Sequence, residues 1–178
     1  MKNIIKTFLS LTLVLFLGLN IANAADPQEI EMTPGGQKAA IIHIFNANNI
    51  PVYLIEKDID QTLPQFKKNK NWTLNIIFKH AEPQKIKDDS KLTKYLNTKK
   101  ENVWAEAQSF SYNHKTKIIT INNLSYYNEK GQIIADISDG VKATPVEDRQ
   151  ISLANNQQSQ AFFDAIANYL ESRLKEAK

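Results

Sequence analysis

VWAEAQSFSYNHKTKIITINNLSYYNEKGQII, residues 103–134, is the stretch that decides the fold. It contains β-branched and aromatic residues in runs separated by polar turns, a pattern typical of consecutive antiparallel strands. We predict a three-strand meander with strands at 103–112, 117–127 and 132–137 and turns at 113–116 and 128–131. Gly131 is placed where a tight turn requires a positive φ angle.

The middle strand of this meander changes phase. Ile119 and Ile121 are odd-numbered, whereas Leu124 and Tyr126 are even-numbered. One extra residue at Asn122-Asn123 would restore a single buried face, which is the effect of a β-bulge.

The flanking sequence extends the sheet on one side and adds a helix on the other. Upstream, apolar or alternating runs predict strands at 39–45, 52–55 and 72–78. Downstream, a loop at 139–157 precedes an amphipathic helix that starts at Ser159. Its apolar stripe recurs at steps of three and four residues and comprises Phe162, Phe163, Ile166, Tyr169, Leu170 and Leu174. The predicted fold class is therefore α+β, with an antiparallel sheet of about five or six strands and the C-terminal helix packed on one face.

Two segments between the predicted strands give weaker signals. Residues 57–70 are polar, and the alternating acids of EKDID (56–60) suggest either a turn or a calcium-like cluster. Residues 81–100 are irregular, with a short surface helix expected at 91–96.

The N-terminus has the three parts of a secretory signal peptide. Lys2 and Lys6 precede an apolar run at 8–19, and Ala22-Asn23-Ala24 offers small residues for cleavage before Ala25. The apolar run is shorter than the ~20 residues of a membrane-spanning helix. We expect residues 1–24 to be a signal peptide, 25–38 a flexible leader and 39–178 a single domain. The mature chain would then be periplasmic or extracellular, without a transmembrane helix.

The 178-residue chain contains no cysteine, which excludes disulfides, thiol catalysis and a lipid anchor on cysteine. No nucleophile or phosphate-binding motif is present. The three histidines, His43, His80 and His114, fall in three different predicted elements without the spacing of a metal site. We therefore expect no catalytic, cofactor or metal residues.

Part of the chain resembles the bacterial surface-adhesin E family of small exported proteins. The similarity is carried by VYLIEKDID (52–60) and by the region 104–137, in particular SYYNEKGQII (125–134) with its tyrosines, turn and apolar strand. It implies an α+β domain at the cell envelope, with adhesion to host matrix proteins known for some members. This chain lacks the cysteines that many members carry and has a longer lysine-rich insert, so no binding residue is transferred.

Charge is distributed unevenly along the chain. Residues 67–100 contain ten lysines and three acidic residues, whereas the rest of the mature chain is net acidic. Such a segment is either a solvated face or a contact for polyanions and anionic surfaces. The candidate polyanion-binding residues are Lys67, Lys68, Lys70, Lys91 and Lys94.

Two functions from different classes remain open. The first is a non-catalytic binding or adhesion module at the cell envelope, whose partner is a host or envelope protein or an anionic surface rather than nucleic acid. The second is a small periplasmic enzyme or enzyme inhibitor whose site is assembled from residues distant in sequence.

Overall fold

The structure, a computed structural model, describes residues 19–20, 28–30, 39–47, 49–84, 102–136 and 138–176. Most of the predicted signal peptide and leader, and the helix predicted at 91–96, lie outside the described residues. The strands are β1 Leu19–Asn20, β2 Gln28–Ile30, β3 Ala39–Ala47, β4 Ile50–Ile55, β5 Trp72–Gln84, β6 Val103–Asn113, β7 Ile118–Tyr127, β8 Ile133–Asp136 and β9 Gln150–Ser152. The helices are α1 Glu56–Asn69, α2 Ser138–Lys142 and α3 Gln157–Glu176, with a 3₁₀ turn at Val146–Arg149.

Six strands form one continuous antiparallel sheet in the order β3-β4-β5-β6-β7-β8. Each strand pairs with its sequence neighbour, so the sheet is a meander throughout. The short strands β1 and β2 pair with the outer side of β3, and β9 pairs with β7 on the side that also carries β8. The α+β prediction, with its antiparallel sheet and C-terminal helix, is confirmed.

The predicted bulge is also present. Ser109 of β6 pairs with Asn123, whereas the next residue, Phe110, pairs with Ile121. Asn122 is therefore the extra residue, and its side-chain amide donates to the Ser111 hydroxyl at 2.9 Å. The insertion leaves both Ile121 and Leu124 buried.

Helix α3 covers one face of the sheet, which we call the helix face. Asn156 caps the helix by accepting a hydrogen bond from the backbone N–H of Ser159 at 3.0 Å. Phe163 stacks on Trp72 and Tyr112 of the sheet, with ring centroids 5.7 and 5.5 Å apart, and Phe162 meets Phe45 edge-on. The predicted stripe is confirmed as the part of the helix that packs on the core.

The polar segment at 57–70 is a helix rather than a turn, so that alternative for EKDID is wrong. Helix α1 buries Ile59, Thr62 and Phe66, which recur at helical spacing although one of them is polar. It lies beside β5: the Thr62 hydroxyl donates to the Thr73 carbonyl at 3.0 Å and accepts from the Thr73 N–H at 3.2 Å. Asp58 accepts from the side-chain amide of Asn75 at 2.7 Å. On this side of β5, β4 pairs only from Ile76 onward, which leaves the N–H and C=O of Thr73 without a strand partner. The Thr62 hydroxyl of α1 satisfies both groups.

The predicted loop at 139–157 is also more regular than expected. It contains α2, the 3₁₀ turn and β9, and it runs along the margin of β7. Arg149 fastens it there: its guanidinium donates to the Ile121 carbonyl at 2.6 Å and to the Thr144 carbonyl at 3.1 Å. These elements are too short to produce a periodic pattern of apolar residues, so the sequence did not predict them.

The opposite face of the sheet carries a second apolar cluster. Its buried members all belong to strands: Ile41, Ile55, Ile77, Ala105, Ala107 and Tyr127. Both faces of the central strands are therefore apolar, which accounts for Ile77, the residue that departs from alternation in β5.

Candidate functional site

The last turn of α1 presents lysines to solvent. Lys67 and Lys68 are exposed, and no ion pair joins either of them to a carboxylate among the described residues. Lys70 ends the helix in the left-handed conformation, with φ 60° and its N–H donating to the Phe66 carbonyl at 2.8 Å. Positive side chains at this position are favoured by the negative end of the helix dipole.

Lys70 ties the end of α1 to α3. Its Nζ lies 2.8 Å from Oε1 of Glu171, with both side chains about half exposed. The hydrogen bond and charge of Lys70 lower the pKa of Glu171, and the charges of Lys175 and His114 add to the effect. Lys70 is therefore the direct partner of this carboxylate.

The turn between β6 and β7 brings further basic residues to the same end. The Asn113 carboxamide accepts the N–H groups of Lys115 and Thr116, both at 3.1 Å, and so shapes the turn. The N–H of His114 donates to the side chain of Asn71 at 3.2 Å, which links the turn to the residue just after α1 and Lys70. Residues more than forty positions apart are therefore adjacent here.

Lys117 completes the turn and is held in place. It adopts φ 54°, and its Nζ lies 3.2 Å from Oδ1 of Asp164. Burial works to lower the pKa of Lys117, but hydrogen bonding and charge interactions with Tyr112 and Asp164 together outweigh that effect and leave the pKa raised. Lys117 is therefore a structural tie between the turn and α3.

We call this surface the basic end. It comprises Lys67, Lys68, Lys70, His114, Lys115, Lys117 and Lys175. Of the five candidate residues from the sequence, the structure places Lys67, Lys68 and Lys70 here, while Lys91 and Lys94 lie outside the described residues. The contribution of the β6–β7 turn was not predictable from the sequence, because only the packing of the sheet beside α1 brings this turn close to Lys70.

The arrangement divides the basic residues into two groups. Lys70 and Lys117 are engaged by Glu171 and Asp164, whereas Lys67, Lys68 and Lys115 carry exposed ammonium groups with no carboxylate partner in the described parts of the chain. Such groups attract anionic surfaces at long range and lose that attraction as salt screens them.

A buried polar cluster lies at the opposite end of the helix face. His80 Nε2 is 3.0 Å from Oε1 of Glu106, and the Gln108 amide donates to Oε2 of the same carboxylate at 3.0 Å. Burial raises the pKa of Tyr126, the cross-strand neighbour of Glu106, well above its ordinary value, and the Glu106 charge raises it further. Each carboxylate oxygen has a partner within the sheet, and the His80 side chain is 4 % exposed. This geometry suits a structural network more than a substrate site.

The remaining sequence candidates have local structural roles. His43 contacts Asn46 at 3.0 Å and lies against the Tyr53 ring. Asp58 belongs to the contact between α1 and β5 rather than to a calcium-like cluster. Within the described ranges, no three His, Asp or Glu residues come together in a way that could hold a metal ion.

The helices of the described residues include none with the length and apolar character needed to cross a membrane. No family model matches the chain, and comparisons with curated proteins and with solved structures likewise found no match.

Proposed function

We propose that the chain is an exported, non-catalytic binding module of the cell envelope, which contacts an anionic surface through its basic end. Export follows from the signal-peptide pattern at 1–24 with cleavage before Ala25. The observation that carries the contact is the hydrogen bond from His114 to Asn71, which brings the β6–β7 turn with its exposed Lys115 beside the end of α1 with its exposed Lys67 and Lys68.

The chemistry of these residues defines the kind of contact. Lysine is a compact, hydrated charge on a flexible stem, and it does not form the two-pronged contact that arginine makes with a carboxylate or phosphate. The expected interaction is therefore loose, depends on charge density, and weakens steeply with salt. The carboxylates of Glu171 and Asp164 are already occupied by Lys70 and Lys117, so they do not neutralise the exposed lysines.

Binding to vesicles tests the proposal. Wild-type protein is titrated with vesicles of phosphatidylglycerol and, separately, of phosphatidylcholine, over a series of salt concentrations. Replacing Lys67 and Lys68 by glutamine removes two charges near the membrane, each worth about 1 kcal/mol, so affinity for the anionic vesicles should fall roughly ten- to thirtyfold at low salt.

The matched control replaces Lys57 and Lys130, which are exposed lysines elsewhere on the chain, by glutamine. This variant has the same net charge as the test variant, so it should bind like the wild type if position matters. If both variants lose the same affinity for anionic vesicles, the binding depends on net charge and not on the position of the lysines. If neither variant loses affinity, Lys67 and Lys68 serve only to keep the protein soluble. Heparin provides a second anionic probe and distinguishes lipid headgroups from a soluble polyanion.

Export is tested separately. N-terminal sequencing of the protein from the periplasm or medium should begin at Ala25. A membrane-bound form that starts at Met1 would show that residues 1–24 are an anchor.

A further inference from the structure

His114 lies where the two lysine-bearing segments of the basic end meet. Its backbone N–H donates to the side chain of Asn71 at 3.2 Å, which holds it beside the residue that follows Lys70 at the end of α1. In the chain it directly precedes Lys115, and both residues are exposed. His114 is therefore the residue through which the β6–β7 turn contacts the end of α1.

The imidazole ring of His114 has a rigid support in the core. It meets the ring of Tyr112 edge-on, with centroids 6.2 Å apart and an interplanar angle of 88°. Tyr112 is buried and stacks on Phe163 of α3, so its own position is fixed. In the described parts of the chain no carboxylate forms an ion pair with this imidazole. A positive charge on the ring would therefore not be neutralised by a direct partner.

The charged groups around His114 come from α1, α3 and the turn itself. The hydrogen bond and charge of Lys70 chiefly lower the pKa of Glu171, and the charge of His114 adds to this effect, so the imidazole lies near that carboxylate. Glu171 is already engaged by Lys70, with Nζ and Oε1 2.8 Å apart. The other charged groups of this region are Lys175 and Asp164 of α3 and Lys115 and Lys117 of the turn.

These groups differ in how they respond to pH. Histidine is the side chain whose charge ordinarily changes between about pH 5 and pH 8. Lysine keeps its positive charge over that range, and Glu171, whose pKa Lys70 lowers, stays negative. The other two histidines of the chain, His43 and His80, belong to β3 and β5 and lie outside the basic end. Mild acid therefore changes the charge of the basic end through His114.

We propose that pH regulates the anionic contact of the basic end, and that the protonated imidazole of His114 strengthens this contact in mild acid. The added charge stands at the junction of two segments that each carry exposed lysines, so its long-range attraction adds to theirs. As pH rises through neutrality the imidazole loses its proton, and the contact keeps only the charges of its lysines. This inference rests on the proposed contact of the basic end with an anionic surface and adds its regulation.

Vesicles of phosphatidylglycerol test the proposal at about pH 5.5 and about pH 7.5, since the phosphodiester of this lipid is ionised at both. One more positive charge near the membrane should make the wild-type affinity roughly fivefold higher at the lower pH, at low salt. H114Q removes the titrating group, so the ratio of its two affinities should be about one. H114K carries a permanent charge, so it should bind more tightly than H114Q at both pH values, again with a ratio of about one.

The matched control is H43Q, which removes a histidine outside the basic end and should keep the wild-type ratio. Proton NMR of the free protein follows the His114 ring directly, and the H114Q spectrum identifies its resonances. The ring should gain a proton between the two pH values. A His114 ring that has the same charge at both overturns the proposal.

The outcomes separate this inference from the proposed function. Wild-type protein that binds anionic vesicles equally well at both pH values contradicts the regulation and leaves the proposed contact standing. A pH dependence that is as large in H114Q as in the wild type also contradicts the regulation, because another group would then be responsible. Wild-type protein that binds the vesicles at neither pH contradicts the proposed contact, and the regulation fails with it.

Discussion

Tyr127 places in the core a hydroxyl group that no described residue satisfies with a hydrogen bond. The side chain is fully buried on the face opposite α3, and within the described part of the chain neither its oxygen nor that of Ser125 has a hydrogen-bond partner of ordinary geometry. Burial raises the pKa of Tyr127 to about 12; the nearby Ser125 side chain opposes the rise and Asp136 adds to it. A buried polar atom without a partner costs free energy of folding.

Tyr127 should therefore make the protein sensitive to alkali. Because its pKa in the folded state is above that of the unfolded state, its contribution to stability is complete below about pH 10 and is lost as pH rises toward 12. For this residue alone the loss amounts to about 2 to 3 kcal/mol. Tyr127→Phe should flatten the decline in the free energy of unfolding between pH 10 and pH 12, measured by denaturant titration, and should not destabilise the protein at pH 7.

Tyr169→Phe is the comparison for that measurement. Burial also raises the pKa of Tyr169, but this side chain is only partly buried and packs at the margin of the core, so Tyr169→Phe should flatten the decline less than Tyr127→Phe does. An alkaline decline in Tyr127→Phe as steep as in the wild type would show that other tyrosines govern it.

The contact between His80 and Glu106 could not be predicted from the sequence. The two residues are 26 positions apart, and they meet only because the register of β5 on β6 brings the two side chains together on the helix face. The one signal in the sequence is that Glu106 and Gln108 occupy the same alternating phase as the buried Phe110. Polar residues in the buried phase of a strand predict a buried partner, but they do not identify it.

At the scale of elements, the strands of the meander were predictable and α1 was not. Alternation of apolar and polar residues indicates a strand within a few positions, and the change of phase at Asn122 indicated the bulge. Helix α1 contains Pro64 and buries Thr62, so its helical stripe is short and partly polar. Its hydrogen bonds to Thr73 and Asn75 of β5 stabilise it through tertiary contacts that no local pattern encodes.

The bulge gives a prediction for β7. Deleting Asn122 should move Leu124 and Tyr126 to the opposite face, because a shift of one residue reverses every later side chain. Two side chains worth ~1.5–3 kcal/mol each would leave the helix face, so we expect a loss of at least about 3 kcal/mol of stability. Asn122→Ala keeps the backbone count and loses one hydrogen bond to Ser111, and it should cost about 1 kcal/mol. Denaturant titration that finds equal losses would show that the extra residue does not set the register.

At the scale of the molecule, the stability of the core on the helix face depends on the C-terminal helix α3. The large side chains that α3 buries against β3, β5 and β6 lie at the centre of the main core. The sequence predicted this dependence because the stripe from Phe162 to Leu174 keeps helical period and has no other apolar surface to meet. It did not predict that Lys70 and Lys117 would fasten the same helix to α1 and to the β6–β7 turn, since those contacts follow from the assembled sheet.

A chain that ends at Gln157 should therefore be unfolded. The shortened chain loses Phe162, Phe163, Ile166 and Leu170, all fully buried. At ~1.5–3 kcal/mol each, these four side chains contribute about 6 to 12 kcal/mol, which is comparable to the whole net stability of a typical domain, about 5–15 kcal/mol. The expected result is a thermal melt without a cooperative transition and a near-ultraviolet circular dichroism spectrum without fine structure. A chain that ends at Leu174 retains every buried residue of α3 and should melt cooperatively. Cooperative melting of both chains would show that the sheet and α1 suffice for folding, and that α3 covers a core that is already stable.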